Sequence, residues 1–184
     1  MTEPAQKPGR SKQDYCTDPR FIAAIGEQFG PVDLDLACRV DNMVAPYGIT
    51  EGTDALTKDW TRLHPAWLTP GGAIVRPEKI RVAFCNPPFA DIELWAAKLE
   101  ECRWLRRWTL MLVPYSASSQ WFVNHVMGKL MVYGIPRITF VGTTAPYPKD
   151  LCLIAAGYGA NGQAFWDWRK TLVSADAREA SAAE

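Results

Sequence analysis

Apolar residues recur at helical spacing in some segments of the chain and form short runs or alternations in others. Helical spacing predicts helices over residues 19–29, 91–102 and 119–127, with Thr17 or Asp18 capping the first. Apolar runs predict short strands over residues 32–36, 80–85, 108–113, 130–133, 138–141 and 151–156. Because strands first alternate with helices and later follow one another directly, we expect an α/β fold whose mainly parallel sheet has an antiparallel edge hairpin.

The remaining segments lack a periodic apolar pattern. Residues 1–13 are polar and predict a flexible lead-in, and the Ala/Ser-rich residues 174–184 predict a flexible tail. Residues 47–60 look irregular, with glycines as turn signals, and residues 61–79 are rich in proline and glycine. We therefore predict one domain over residues 14–173 that carries a surface insertion at 61–79.

Composition narrows the class of protein. The chain has 184 residues, 48% of them hydrophobic and 22% charged, as expected for a single globular domain. The formal net charge is zero, so any DNA-binding surface must be a local patch. Five dispersed cysteines without a CxxC pair argue against a disulfide framework and a metal site. No signal-peptide pattern and no apolar run of membrane length is visible, so we expect a cytoplasmic protein without a membrane partner.

The segment with the clearest chemistry is Asn86-Pro87-Pro88-Phe89, directly after the apolar run 80–85. Two prolines fix φ and remove two backbone donors, so the carbonyls of Asn86 and Pro87 stay out of a helix ladder and face a ligand. Asn86 adds a side-chain acceptor and donor, and Phe89 adds a flat apolar face. The arrangement suits a planar ring with an exocyclic amino group, although a plain turn explains the tetrapeptide about as well.

The order of several segments resembles that of the phage-type DNA N6-adenine methyltransferases, which use S-adenosylmethionine. The matching segments are residues 15–19, 33–38 with Asn42, 54–56 with Asp59 and Trp60, 84–89, 121–122 and 134–140. Three departures stand out: the cofactor strand lacks a Gly-x-Gly, Asp18 separates Thr17 from Pro19, and Phe89 replaces the commoner tyrosine. The insertion at 61–79 is a further difference.

The resemblance implies a Rossmann-like methyltransferase fold and methyl transfer from S-adenosylmethionine to adenine N6 in DNA. It implies that the side-chain oxygen of Asn86 and the Pro87 carbonyl accept hydrogen bonds from N6–H. The target base would leave the duplex and stack on Phe89, with Pro88 completing the catalytic loop.

The resemblance also suggests residues for the cofactor and the target base. The cofactor candidates are Thr17, Asp35, Ala37, Asn42 and Asp54. The N-cap interpretation is slightly favoured for Thr17. Asp35 is equally well explained as a solvated strand-end carboxylate, and Asn42 and Asp54 are equally well explained as turn residues. Tyr115 and Ser116 follow the strand 108–113, so they either line the target-base pocket or form a turn before the next helix.

Two other functions stay open at this point. Loops of the Asn-Pro-Pro-aromatic type also occur in methyltransferases that act on protein glutamine amides, because an amide NH2 poses the same chemical problem. The missing Gly-x-Gly is also compatible with a non-catalytic binding module that keeps the fold. The sequence does not indicate an oligomeric state.

Overall fold

The computed structural model describes residues 16–68 and 76–182. Within these residues the helices are α1 (Pro19–Phe29), α2 (Ile92–Glu101), α3 (Gln120–His125) and α4 (Trp168–Ala182). The strands are β1 (Leu34–Cys38), β2 (Tyr47–Thr50), β3 (Val82–Cys85), β4 (Trp108–Pro114), β5 (Met131–Ile135), β6 (Leu151–Ala156) and β7 (Gly162–Phe165). Single 3₁₀ turns occupy Glu51–Thr53, Ala55–Thr57, Pro65–Trp67, Pro77–Lys79 and Phe89–Asp91.

The described strands form one sheet in the order β2-β1-β3-β4-β6-β5-β7. β2, β1, β3 and β4 pair in parallel, and β7 pairs in parallel with β5. β6 runs antiparallel to both of its neighbours, β4 and β5. The predicted Rossmann-like α/β fold with a mainly parallel sheet is confirmed. The antiparallel pair lies one strand in from the edge, because β7 adds to the sheet outside β5.

Helices cover both faces of the sheet, as the strand patterns require. Successive residues of β3 point to opposite faces, so Ala83 packs in one core cluster and Phe84 in the other. The first cluster contains Trp95 from α2 and Phe122 from α3. The second cluster contains residues of α1 and α4, among them Trp168, which is 3% exposed. Full burial of such large apolar side chains contributes about 1.5–3 kcal/mol each.

The prediction that residues 47–60 are irregular was wrong for their first part. Tyr47–Thr50 forms β2, which pairs in parallel with β1 at the edge of the sheet. The sequence does not reveal this strand, because the run is short and Gly48 and Gly52 are typical of turns. A Cβ on Gly48 would lie 2.4 Å from Cys38 Sγ, so close packing explains this glycine.

The predicted strand over residues 138–141 was also wrong. Ile138 and Phe140 are buried, as the alternation indicates, but the segment pairs only through an isolated bridge between Cys16 and Val141. The backbone N–H groups of Tyr147 and Thr143 donate to the carbonyls of Ile138 and Phe140 at 2.9 and 3.1 Å. These bonds fold the chain into a loop over residues 136–150 instead of a strand.

Strand β7 has no apolar signal in the sequence, because all four of its residues are exposed. Its backbone nevertheless pairs with β5 from Met131 to Gly134. The predicted strand over residues 32–36 also begins and ends two residues earlier than β1. Edge strands and strand ends of this kind depend on partner backbone more than on apolar pattern.

The predicted terminal and inserted segments are described only in part. The lead-in at 1–13 and residues 69–75 of the insertion lie outside the described residues. Around that gap, Trp60 is 1% exposed and donates from Nε1 to the Ala55 carbonyl at 2.9 Å, and Leu68 is buried as well. At the other end, α4 continues through the residues predicted as a tail as far as Ala182; the flexibility of that tail remains a prediction.

Candidate active site

A cavity of about 250 Å³ opens at the carboxyl ends of β1 and β3. Parallel strands present their carboxyl ends at one edge of a sheet, where ligands of open α/β folds bind. Among the cavity-lining residues are all five predicted cofactor residues and two from the catalytic loop: Thr17, Asp35, Ala37, Asn42, Asp54, Asn86 and Pro88. The fold therefore gathers segments far apart in sequence around one space, slightly below the usual volume of small-molecule sites, about 300–1,000 Å³.

Asn86 is held at the rim of this cavity by the segment that precedes α1. Its Nδ2 donates a hydrogen bond to Thr17 Oγ1 at 3.2 Å. The two branches of an amide diverge, so with Nδ2 directed at Thr17 the carbonyl oxygen Oδ1 faces away from it. Thr17 is 5% exposed, and burial strengthens the orienting effect of this bond.

Thr17 is not the helix cap that the sequence allows it to be. The N-cap of α1 is Asp18, whose carboxylate accepts from the backbone N–H of Arg20 at 2.9 Å. Asp18 also forms a salt bridge with Arg20, at 3.0 Å. Because Asp18 satisfies the helix terminus, the Thr17 hydroxyl is available to orient Asn86.

Asp35 is a buried carboxylate in the wall of the cavity, rather than a solvated strand-end group. It is 4% exposed, and its two oxygens accept from the backbone N–H groups of Ala37 at 3.1 Å and Val44 at 3.2 Å. Burial raises the pKa of Asp35 to about 6, although both hydrogen bonds lower it in part. A buried carboxylate of this kind favours a cationic group in the cavity above pH 6.

Asp54 lines the cavity from a strained backbone position. Its φ is +49°, a left-handed conformation that few residues other than glycine, asparagine and aspartate adopt. The carboxylate accepts from Leu56 N at 3.2 Å and begins the short 3₁₀ turn Ala55–Thr57. Asp54 is thus both a turn residue and a cavity residue, and the two interpretations from sequence are compatible.

The loop after β1 closes one side of the cavity. The Asn42 side-chain oxygen accepts from Arg39 N at 2.6 Å, which explains this asparagine as a turn residue within the cavity wall. Arg39 also lines the cavity and pairs with Asp41 at 3.1 Å. Cys38 also lines the cavity, and burial raises the pKa of its thiol to about 12, so that it is a neutral thiol.

Four predicted site residues lie outside this cavity wall. Pro87 is buried, and the half-buried Phe89 packs against the core cluster that contains Trp95. Tyr115 is 39% exposed, with its ring 5.8 Å from that of Phe122. The Ser116 carbonyl accepts from Ser119 Oγ at 2.6 Å, which favours the turn interpretation for that serine. Tyr115 and Ser116 nevertheless follow β4 at the same edge of the sheet as Asn86.

Several residues around the site were not predicted from the sequence. Ile49, Ala55 and Trp95 form apolar walls of the cavity. Trp95 lies on the apolar face of α2 and has the pattern of an ordinary core residue. Tyr147 packs edge-on against Phe89, with ring centroids 6.1 Å apart. No local pattern indicates Tyr147, because its contact joins loops that are distant in sequence.

The residues that the structure describes contain neither a metal-binding cluster nor a membrane-spanning helix. In the part of the chain that the structure describes, no group of three or more His, Cys, Asp or Glu side chains is arranged to hold a metal ion. None of the helices in residues 16–68 and 76–182 has the length and apolar character needed to span a membrane.

The chain matches a known protein family. The family model described as DNA N-6-adenine-methyltransferase (Dam) matches residues 5–151, most of the chain. That range includes the segment before α1, the strands β1 and β3, and the Asn-Pro-Pro-Phe loop. No individual curated protein matches the sequence significantly.

Proposed function

Because the chain belongs to the DNA N-6-adenine-methyltransferase (Dam) family, we propose that it transfers a methyl group from S-adenosylmethionine to N6 of adenine in DNA. One observation carries this proposal. Asn86 lies at the rim of the cavity that the candidate cofactor residues line, and its amide is oriented by Thr17. An acceptor for an exocyclic amino group therefore stands directly beside a space for a methyl donor.

The residues around the cavity fit the chemistry of S-adenosylmethionine. The buried carboxylate of Asp35 suits a cationic cofactor, and the Asp54 carboxylate suits hydroxyl or amino donors. The apolar walls around Ile49 and Trp95 suit an adenine ring. When bound, the cofactor supplies an electrophilic methyl group on a sulfonium and leaves as a neutral thioether.

Asn86 acts on the amino group of the target base. The lone pair of adenine N6 is delocalised into the ring, so N6 is a poor nucleophile. Hydrogen bonds from N6–H to Asn86 Oδ1 and to the Pro87 carbonyl favour a pyramidal nitrogen with a localised lone pair. The same acceptors stabilise the positive charge that develops on N6 as its bond to the methyl carbon forms. N6 afterwards releases one proton to solvent.

Phe89 is the residue that would stack on the target base. A base inside a duplex is inaccessible to Asn86, so the target adenine must swing out of the stack. Phe89 is half-buried and follows Asn86 by three positions in the same loop. Stacking on that ring would recover part of the unstacking energy, about 1–3 kcal/mol per base.

The test is nucleoside mass spectrometry of unmethylated DNA incubated with the protein and S-adenosylmethionine, with Asn86→Ala in parallel. We expect N6-methyladenine from the wild type and none from Asn86→Ala, which should still bind the cofactor. Loss of cofactor affinity in that variant would assign Asn86 to the cofactor instead.

Two outcomes would replace the proposed function. Cofactor binding without any methylated base would redirect the search to protein glutamine amides, which present the same NH2 group. Absence of both cofactor binding and product would favour a binding module that retains the fold. A thermal-shift titration with S-adenosylmethionine separates these two outcomes.

A further inference from the structure

Two arginines outside the cavity lie on the same side of the sheet as Asn86, where the carboxyl ends of the parallel strands lie. β5 runs parallel to β4 because both are antiparallel to β6, so β5 ends at the edge where β3 and β4 end. Arg137 follows the end of β5 by two residues. β5 is three strand positions from β3 in the sheet order, which is about 14 Å at the usual strand spacing.

The second arginine, Arg169 on α4, is hydrogen-bonded to the backbone of Arg137. Its Nη2 donates to the Arg137 carbonyl at 2.8 Å, and its guanidinium lies 5.5 Å from the centre of the Trp168 ring. Trp168 is itself anchored, since it is 3% exposed and its Nε1 donates to the Pro136 carbonyl at 3.4 Å. Arg169 is thus held in place while remaining exposed.

The charges of this pair are poorly compensated. Arg137 forms an ion pair with Asp150 at 3.3 Å, but their side chains are 55% and 74% exposed, so the pair is weak and open to exchange. Within residues 16–68 and 76–182, no ion pair joins Arg169 to an acidic side chain, whereas Lys170 beside it pairs with Asp167. Arg137 and Arg169 therefore place two weakly compensated positive charges on segments that contact each other, and such a local excess of positive charge attracts an anion.

We propose that Arg137 and Arg169 bind the phosphate backbone of the DNA substrate beside the adenine held by Asn86. This inference rests on the proposed function for its ligand. The planar guanidinium forks of arginine match phosphate oxygens, and phosphate contacts fix the position of a protein on DNA. The offset of about 14 Å between the positions of β3 and β5 in the sheet is similar to the width of the major groove, about 12 Å, so one duplex can contact the loops that follow both strands.

The test measures the affinity of a fluorescently labelled DNA duplex by anisotropy over a series of KCl concentrations. The variants are Arg137→Gln, Arg169→Gln and the charge-preserving Arg169→Lys, and Lys170→Gln is the matched control. Each arginine-to-glutamine change should reduce the slope of log K against log [KCl] by about 1, equally for DNA with and without adenine. Arg169→Lys and Lys170→Gln should keep the wild-type slope.

Methyl transfer by the same variants completes the test. We expect Arg137→Gln and Arg169→Gln to raise the KM for DNA several-fold with little change in kcat and no change in cofactor affinity. Unchanged salt slopes in both glutamine variants would overturn the inference, as would a wild-type protein that binds no duplex. If the wild type binds DNA with the expected arginine dependence but yields no N6-methyladenine, the proposed function fails and the phosphate surface stands.

Discussion

Asn86 Nδ2 donates a hydrogen bond to Thr17 Oγ1 at 3.2 Å, between residues separated by 69 positions in the chain. The bond joins the segment before α1 to the loop after β3. Cys16, next to Thr17, also pairs with Val141 from the loop over residues 136–150. Three segments at one edge of the sheet are therefore tied together around the candidate catalytic asparagine.

Replacing Thr17 with valine should lower the rate of methyl transfer. Valine keeps the shape of threonine but removes the acceptor that orients Asn86, and a net hydrogen bond of about 1 kcal/mol corresponds to roughly a five-fold loss in kcat. Thr17→Ser retains the hydroxyl and should stay within about two-fold of the wild type. Steady-state kinetics of both variants check this; equal rates for valine and wild type would show that Thr17 does not position Asn86 for the reaction.

Cofactor binding should weaken in acid because of Asp35. Its pKa is raised to about 6 by burial, so the carboxyl becomes neutral as the pH falls through that value and ceases to attract a cation. We expect the Kd for S-adenosylmethionine to rise by up to about ten-fold per pH unit below pH 6. Fluorescence titrations from pH 5 to pH 7.5 measure this. Asp35→Asn should bind weakly with no such pH dependence; a dependence that survives would point to another group.

The two roles of Asp54 are separated by Asp54→Asn. Asparagine tolerates a positive φ at least as well as aspartate and also caps the 3₁₀ turn, so the melting temperature should change little. Asparagine still accepts a hydrogen bond from a ligand hydroxyl, but without the charge that bond weakens by about 1 kcal/mol. Cofactor affinity should therefore fall by roughly five-fold. Calorimetry of binding and of unfolding distinguishes this from a turn residue without contact to the cofactor, for which binding would be unaltered.

Tyr147 should position Phe89 for the target base. The two rings meet edge-on at 6.1 Å, and Tyr147 also packs against Phe140 at 5.8 Å. Aromatic pairs of this kind contribute about 0.5–1.5 kcal/mol, so Tyr147→Ala should raise the KM for DNA by roughly two-fold to ten-fold. Tyr147→Phe keeps both ring contacts and is the matched control. Cofactor affinity should be the same in all three proteins; a loss confined to cofactor binding would contradict this role.

Much of the fold was predictable because the signals that specify it are local. Apolar residues recur at helical spacing in α1 and α2. They form continuous buried runs in β3, β4 and β6, which is typical of strands buried on both faces. Residues 138–141 show the limit of that reasoning. Their alternation reports burial correctly, but burial alone does not distinguish a strand from a loop whose carbonyls accept from nearby amides.

By itself, the sequence determined the α/β class and the rigid Asn-Pro-Pro-Phe loop after a buried strand. Proline restricts its own φ and the residue before it, so that loop needs no distant partner to form. Only the tertiary structure decided which polar groups meet around it: Thr17 against Asn86, Asp35 buried beside them, and Arg169 against Arg137. It also decided that the exposed residues of β7 form a strand. These relationships depend on strand order and on backbone hydrogen bonds between distant segments, which leave no periodic pattern in the sequence.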